Sequence, residues 1–254
     1  MDKLVEAGYK QVVVNCHHLA DQIKSAVAGR PEVILQHEAE VLGTGGGLRK
    51  ALNFFTDEPV LVMNGDIYHD VDLHRLRELH AANGANVTLA LHDYPRFNTV
   101  QVRADQVCGF SADEKSTDEN LLAFTGIHML NRTVIEQIPA ECFFHIIDLY
   151  KKLARLGQIG CVRVDGCFWQ DIGTPDDYLD LHRHLLCAEK EKPFWRISEQ
   201  ATIGRQVKFR GWGTVGRGAL IGDSVKLSRC VVWEGVSIAA GEQLADKICT
   251  PKVF

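Results

Sequence analysis

A chain of 254 residues, 46% hydrophobic and 24% charged, has room for one large domain, or for a medium domain with a small appendage, and can build an ordinary globular core. The net charge of −5 includes no Lys/Arg-rich block and gives no reason to expect a nucleic-acid partner; no apolar run reaches the length of about 18 residues that a membrane span needs. Eight scattered cysteines without a C-x-x-C pair exclude a zinc ribbon and suit a reducing cytoplasm, and the polar start MDKLVEAGYK is no secretory leader.

In chain order, QVVVNC (11–16), EVILQ (32–36) and PVLVMNGD (59–66) are short, continuously apolar runs, the pattern of parallel strands buried on both faces. Helical patterns separate them at 19–27 and 48–55, and a further one, apolar at 71, 73, 76 and 79, covers 71–84. This alternation predicts an α/β sheet. From Val87 the strands follow one another closely and predict an antiparallel or mixed portion grafted onto that sheet. FFHIIDLYKKLARLG (143–157) reads as a helix ended by Gly157. A second well-marked helix opens at GTPDD, with Thr174 as N-cap, Pro175 at N1 and Asp177 at N3. Cys16 and Cys108 lie in apolar stretches and read as small core residues.

Past residue 197 the period changes to six. Ile203, Phe209, Val215, Ile221 and Leu227 form one series; Val207, Gly213, Ala219, Val225 and Val231 form another. Six-residue repeats of this kind predict a parallel β-helix in which each hexad is one side of a triangular coil, here fewer than two coils. The expected division is therefore an α/β domain over 1–190 and a hexapeptide-repeat cap over 197–254. Trp212 and Trp233 among the cap's apolar residues make it a candidate homodimer surface.

Three places could carry chemistry. VLGTGGGLRK (41–50) is not a Walker A loop, because its glycine spacing is wrong and Lys50 is followed by Ala51. Asp66 ends the strand VLVMNGD, at the sheet edge where open α/β folds bind ligands, and a carboxylate there suits a hard cation such as Mg²⁺. Asp171, in FWQDIGTP, precedes a capped helix and could supply a second carboxylate to the same ion. Gly126, in FTGIH, would let a ligand approach the backbone, or else marks a bulge. The pairs His17–His18 and His182–His184 are poor metal ligands, since neighbours at such spacings point apart.

LGTGGGLRKAL, VLVMNGDIY, FTGIHML and WQDIGTPDDYLDLH, in that order and followed by hexads, resemble the sugar-1-phosphate nucleotidyltransferases over nearly the whole chain. The resemblance implies a Rossmann-like mixed sheet with a short C-terminal left-handed parallel β-helix. It implies a reaction in which a sugar 1-phosphate attacks the α-phosphorus of a nucleoside triphosphate, giving nucleotide-sugar and pyrophosphate. By the same resemblance Asp66 and Asp171 hold Mg²⁺, and Leu42, Gly43, Thr44 and Gly45 lie against base and ribose. Gly126 lines the sugar pocket, and Glu114 with Lys115 attends the sugar and its phosphate, although Ser116 stands where a proline often follows. It leans toward mannose- or heptose-type guanylyltransferases.

One family feature has no counterpart. The family opens with a strand and a G-x-G-T-R loop that wraps the triphosphate; MDKLVEAGYK resembles the helix that comes after it. The sheet is therefore expected to lack its first strand, and the chain is expected to be a truncated form with little or no pyrophosphorolysis by itself. The alternative from another class is a non-catalytic nucleotide-sugar-binding or scaffold homologue. A glycosyltransferase of similar sheet would want Asp-x-Asp, and here Ile67 and Tyr68 follow Asp66.

Overall fold

The computed structural model describes residues 1–110, 121–188 and 194–251. The chain divides into two compact units: Met1–Gly65 with Asp70–Phe168, and Asp66–His69 with Trp169–Phe254. Helix 175–187, which the sequence division at 190 placed with the α/β domain, belongs to the second unit.

The first unit opens with helix α1 (Asp2–Glu6), closed by Gly8 at φ +84°. Strand β1 (Val12–Cys16), helix α2 (Ala20–Ala26) and strand β2 (Val33–His37) form a β–α–β unit. The two strands are parallel, with Val12 opposite Val33 and Cys16 opposite His37. Helix α3 (Gly43–Lys50) runs on as a 3₁₀ turn, Ala51–Phe54. The helix expected over 48–55 thus starts five residues earlier, inside the glycine run itself.

Strand β3 (Val60–Met63) is followed by β4 (Ile67–His69), which pairs in the second unit. Helix α4 (Leu73–Asn83) is capped by Asp72, whose carboxylate accepts the Arg75 N–H, and ends at Gly84 in the left-handed region. Strands β5 (Val87–His92), β6 (Asn98–Arg103), β7 (Gln106–Phe110) and β8 (Leu121–Leu130) come next. Helices α5 (Arg132–Glu136) and α6 (Ile146–Arg155) and strand β9 (Ile159–Arg163) complete the unit.

The six-stranded sheet has the order β3-β8-β5-β9-β7-β6; only β5 and β9 are parallel within it. Strand β3 was expected in a parallel ladder and instead lies antiparallel to β8, Val60 opposite Leu130. The reason is the length of β8, whose one edge serves β3 at Ile127–Leu130 and β6 at Leu121–Ala123, while its other edge pairs with β5. The mixed portion read from Val87 onward is thus present. Tyr150, Leu153 and Leu149 of α6 pack with Leu89, Leu91 and Ile159 in the main core. Cys16 is buried as expected; Cys108 is exposed, because β7 alternates and Cys108 falls on the outer face.

In the second unit β4 pairs antiparallel with β10 (Trp169–Asp171), His69 opposite Trp169. Helix α7 (Pro175–Cys187) follows, with Thr174 Oγ1 accepting the Asp177 N–H at 3.2 Å and Pro175 in the first turn, as the sequence predicts. Seven short strands come after it: β11 (Trp195–Ile197), β12 (Thr202–Ile203), β13 (Lys208–Val215), β14 (Leu220–Ile221), β15 (Lys226–Val232), β16 (Ser237–Ile238) and β17 (Gln243–Cys249).

They form two parallel ladders, β11-β13-β15-β17 and β12-β14-β16. Thr202 lies opposite Leu220, a step of 18 residues or three hexads, and Leu220 lies opposite Ser237, a step of 17. Four strands stack in the first ladder, so the array is longer than the expected fewer than two coils. Val215, Ile221, Val225 and Leu227 of the hexad series fill its interior. Gly213 stands where that series calls for a larger residue because a Cβ there would come within 2.4 Å of the Cys230 carbonyl and the Trp195 ring. Trp212 is buried with Val231 and with Leu186 of α7, whereas Trp233 stays 45% exposed.

Candidate functional site

Two carboxylates meet in the second unit. The β4–β10 ladder sets Asp171 opposite Ile67, and the Ile172 N–H donates to the Asp66 carbonyl at 2.9 Å, so Asp66 and Asp171 share one end of the ladder. The Gly173 N–H donates to Asp171 Oδ1 at 3.1 Å, an Asx turn that aims the carboxylate back over the glycine. A Cβ on Gly173 would lie 3.2 Å from Asp171 Oδ1 and 3.8 Å from Asp66 Oδ2. Both side chains therefore face the same small volume. Asp66 is exposed and Asp171 half-buried. Among the described residues no group of three or more His, Cys, Asp or Glu gathers at a point. Two hard oxygen donors without a third protein ligand fit Mg²⁺, which keeps water and takes phosphate oxygens for its remaining positions.

The glycine-rich segment lies in the first unit. Gly45, Gly46 and Gly47 are buried, and the N–H groups of Gly45 and Gly46 donate to the Phe144 carbonyl at 2.9 and 3.3 Å. The Phe144 N–H in turn donates to the Leu42 carbonyl at 2.8 Å. Gly45 and Gly46 are small because a second chain segment, Cys142–Ile146, runs directly over them, and Gly47 because the Asn15 and Glu38 side chains press against it. Helix α6 begins at Ile146 rather than at Phe143 for the same reason, since Phe144 is bonded to Leu42, Gly45 and Gly46 and the N-cap His145 is extended. Leu42 and Gly43 are half-buried and Thr44 is exposed, so the turn into the helix stays open to solvent.

Sequence reasoning missed Glu38. It is buried, its Oε2 accepts the Leu42 N–H at 3.1 Å, and it thereby occupies the N-terminal end of α3 with a negative charge. Gln36 supports the same corner, donating from Nε2 to Asn15 Oδ1 and to the Gly47 carbonyl, each at 2.9 Å. Polar residues closing apolar runs, Asn15 after VVV and Gln36 after VIL, were the available signal. His17, weighed as a metal ligand, is bonded through Nδ1 to the Glu38 carbonyl at 2.8 Å.

Gly126 sits at φ +76° in a bulge of β8, where the pairing with β5 shifts between Leu89 and Leu91. The Thr125 hydroxyl stitches the bulge, donating to the Ala90 carbonyl and accepting the Ile127 N–H. A Cβ at 126 would meet Asn64 Nδ2 at 2.7 Å and its Cγ at 2.8 Å. Gly126→Ala is expected to lower stability by about 1–3 kcal/mol, from the positive φ and the clash together. Urea melts that coincide with wild type would refute this. Glu114 and Lys115 lie outside the described residues.

The family model described as "Nucleotidyl transferase" matches residues 1–187. The chain belongs to that family. The chain is 29% identical over 219 residues to the mannose-1-phosphate guanylyltransferase of Mycobacterium tuberculosis, covering 80% of the chain and 60% of that relative. It is 28% identical over 190 residues to the D-glycero-alpha-D-manno-heptose 1-phosphate guanylyltransferase of Aneurinibacillus thermoaerophilus, covering 72% of the chain and 81% of the relative. In fold it is similar to HddC from Yersinia pseudotuberculosis complexed with GMP-PN, with a TM-score of 0.58 at 21% identity over 71% of the chain and 80% of HddC. It also resembles a putative glucose-1-phosphate thymidylyltransferase from Bacillus anthracis, with a TM-score of 0.61 at 16% identity, covering 75% and 81% of the two chains. The chain therefore has a mixed α/β nucleotidyltransferase fold. No helix among its described residues is long and apolar enough to cross a membrane.

Proposed function

We propose that this chain serves guanylyl transfer to a sugar 1-phosphate of the mannose or heptose class, yielding nucleotide-sugar and pyrophosphate. The observation that carries the reading is the convergence of Asp66 and Asp171 over Gly173, in a family of nucleotidyl transferases whose similar members are sugar-1-phosphate guanylyltransferases. Asp66 and Asp171 would hold Mg²⁺. When bound, it would neutralise phosphate charge around an in-line displacement.

The protein's own part is positioning. The Gly173 N–H fixes Asp171, and the Ile172 N–H fixes the backbone at Asp66, so both carboxylates are placed before substrate arrives. In this reading Leu42, Gly43, Thr44 and Gly45 lie along the nucleoside, Gly126 borders the sugar, and Glu114 and Lys115 attend the sugar and its phosphate. The parallel coil is read as left-handed, its exposed Trp233 as part of a homodimer surface, and the cytoplasm as its place of action.

No G-x-G-T-R loop occurs in the sequence, so turnover by this chain alone is expected to be slight. A coupled pyrophosphate-release or pyrophosphorolysis assay in Mg²⁺ checks this; rates equal to the M. tuberculosis relative would overturn it. Binding tests the site itself. GDP-mannose should bind in an Mg²⁺-dependent way by calorimetry, and Asp66→Asn or Asp171→Asn should weaken the metal dependence by about a hundredfold. Affinity indifferent to both Mg²⁺ and these substitutions would sink the assignment, and metal-dependent binding with no turnover after addition of an intact partner would favour a nucleotide-sugar-binding role.

A further inference from the structure

Phe143 and Val41 are each 54% exposed. Single apolar residues at a surface are ordinary, but Phe143 is not a loose one. The residue after it is clamped on both sides, its N–H to the Leu42 carbonyl at 2.8 Å and its carbonyl to the Gly45 N–H at 2.9 Å. The Phe143 ring abuts Gly43, where a Cβ would come 3.2 Å from Cε2. His145 meets the ring edge-on, with centroids 4.8 Å apart and planes at 86°. An aromatic ring fixed by its own backbone, yet open over half its surface, has lost its freedom before any ligand arrives.

Three features say what would lie on it. The ring flanks the half-buried turn at Leu42–Gly43, beyond the parallel strands β1 and β2, where ligands settle in open α/β sheets. Gly43 presents no side chain that would block approach along the ring. The exposed Val41 and Thr44 next to this turn carry no charge, and the ring offers a flat apolar face to a planar group.

We propose that Phe143 is the shelf on which the nucleotide's purine base stacks. The proposal rests on the nucleotidyl-transfer reading above and adds to it a specificity-determining residue. Stacking on an aromatic ring contributes strongly to base binding and discriminates by the area of the base rather than by its edge.

Calorimetric titration of the full chain with GDP and with mannose 1-phosphate, in Mg²⁺, tests it. Phe143→Ala should weaken GDP binding about tenfold and leave mannose 1-phosphate within twofold. Phe143→Trp should match or exceed wild type, and Phe143→Leu, which keeps the apolar contact with Gly43 but not the ring, should behave like alanine. Equal GDP affinity in wild type and Phe143→Ala overturns the shelf and leaves the nucleotidyl-transfer reading standing. A loss that falls on mannose 1-phosphate instead also overturns it, in favour of a sugar platform. Absence of GDP binding by wild type overturns both.

Discussion

Replacing His128 by phenylalanine is expected to remove about 3 kcal/mol of acid sensitivity between pH 7 and pH 4. His128 lies in β8, fully enclosed, with its ring 5.3 Å from Phe124 and edge-on to Tyr150 at 5.6 Å. Among the described residues neither ring nitrogen has a hydrogen-bond partner, nor has the Tyr150 hydroxyl. Burial without a partner drives the imidazole pKa down from 6.5 to about 3. A group with a depressed folded-state pKa costs nothing above the unfolded value. Below pH 6.5 the unfolded chain takes up a proton that the folded chain refuses. Each unit of pH then shifts the balance toward unfolding by about 1.4 kcal/mol, down to the folded pKa. Phenylalanine keeps the ring contacts and has nothing to protonate. Urea melts of wild type and His128→Phe across this range should diverge as pH falls. Parallel curves would show that the ring is hydrated or already charged.

Alanine at Gly46 is expected to destabilise the protein by about 3 kcal/mol or more. A Cβ there would sit 2.5 Å from the Cys142 carbonyl oxygen and 3.0 Å from the Leu42 Cβ. The first of these is backbone, pinned by the bonds that tie Phe144 to Leu42, Gly45 and Gly46, so the clash cannot be relieved by a rotamer change. Separating α3 from the 142–146 segment would also loosen Leu48 and Ile146 in the core. Gly65→Ala is the control, because nothing lies within 4 Å of its Cβ position and its φ is ordinary. That variant should melt at or slightly above wild type, since alanine restricts the unfolded chain. A Gly46→Ala protein as stable as Gly65→Ala would mean that the glycines serve flexibility rather than close packing.

The contrast between these glycines shows how far reading along the chain reaches. GTGGG was recognised as chemically unusual, and its failure as a phosphate loop was plain from spacing. What it is for was not, because the cause is Cys142–Ile146, a segment brought over it only by the fold. Gly126 shows the same division: a strand glycine signals a bulge or a close approach, and only the position of Asn64 tells which neighbour forbids a side chain. Phe143 read as the first residue of a helix, since FFHIID has helical spacing. Phe144 bonds instead to Leu42, Gly45 and Gly46, and these bonds outcompete the local preference and leave Phe143 outside the helix.

The sequence by itself determined the element types, the cap at Thr174 and the six-residue period after residue 197, and it singled out Asp66 and Asp171 as candidate carboxylates. Those features depend on neighbours a few residues away, where side-chain period and capping chemistry act directly. Tertiary structure alone decided that β3 runs antiparallel to β8, that four strands stack in one parallel ladder, and that Asp66 and Asp171 face each other across Gly173. Each is a pairing between segments far apart in the chain. Such pairings are fixed by ladder hydrogen bonds and by the burial of faces that no single segment can complete, so the two carboxylates meet only once β4 and β10 have found their register.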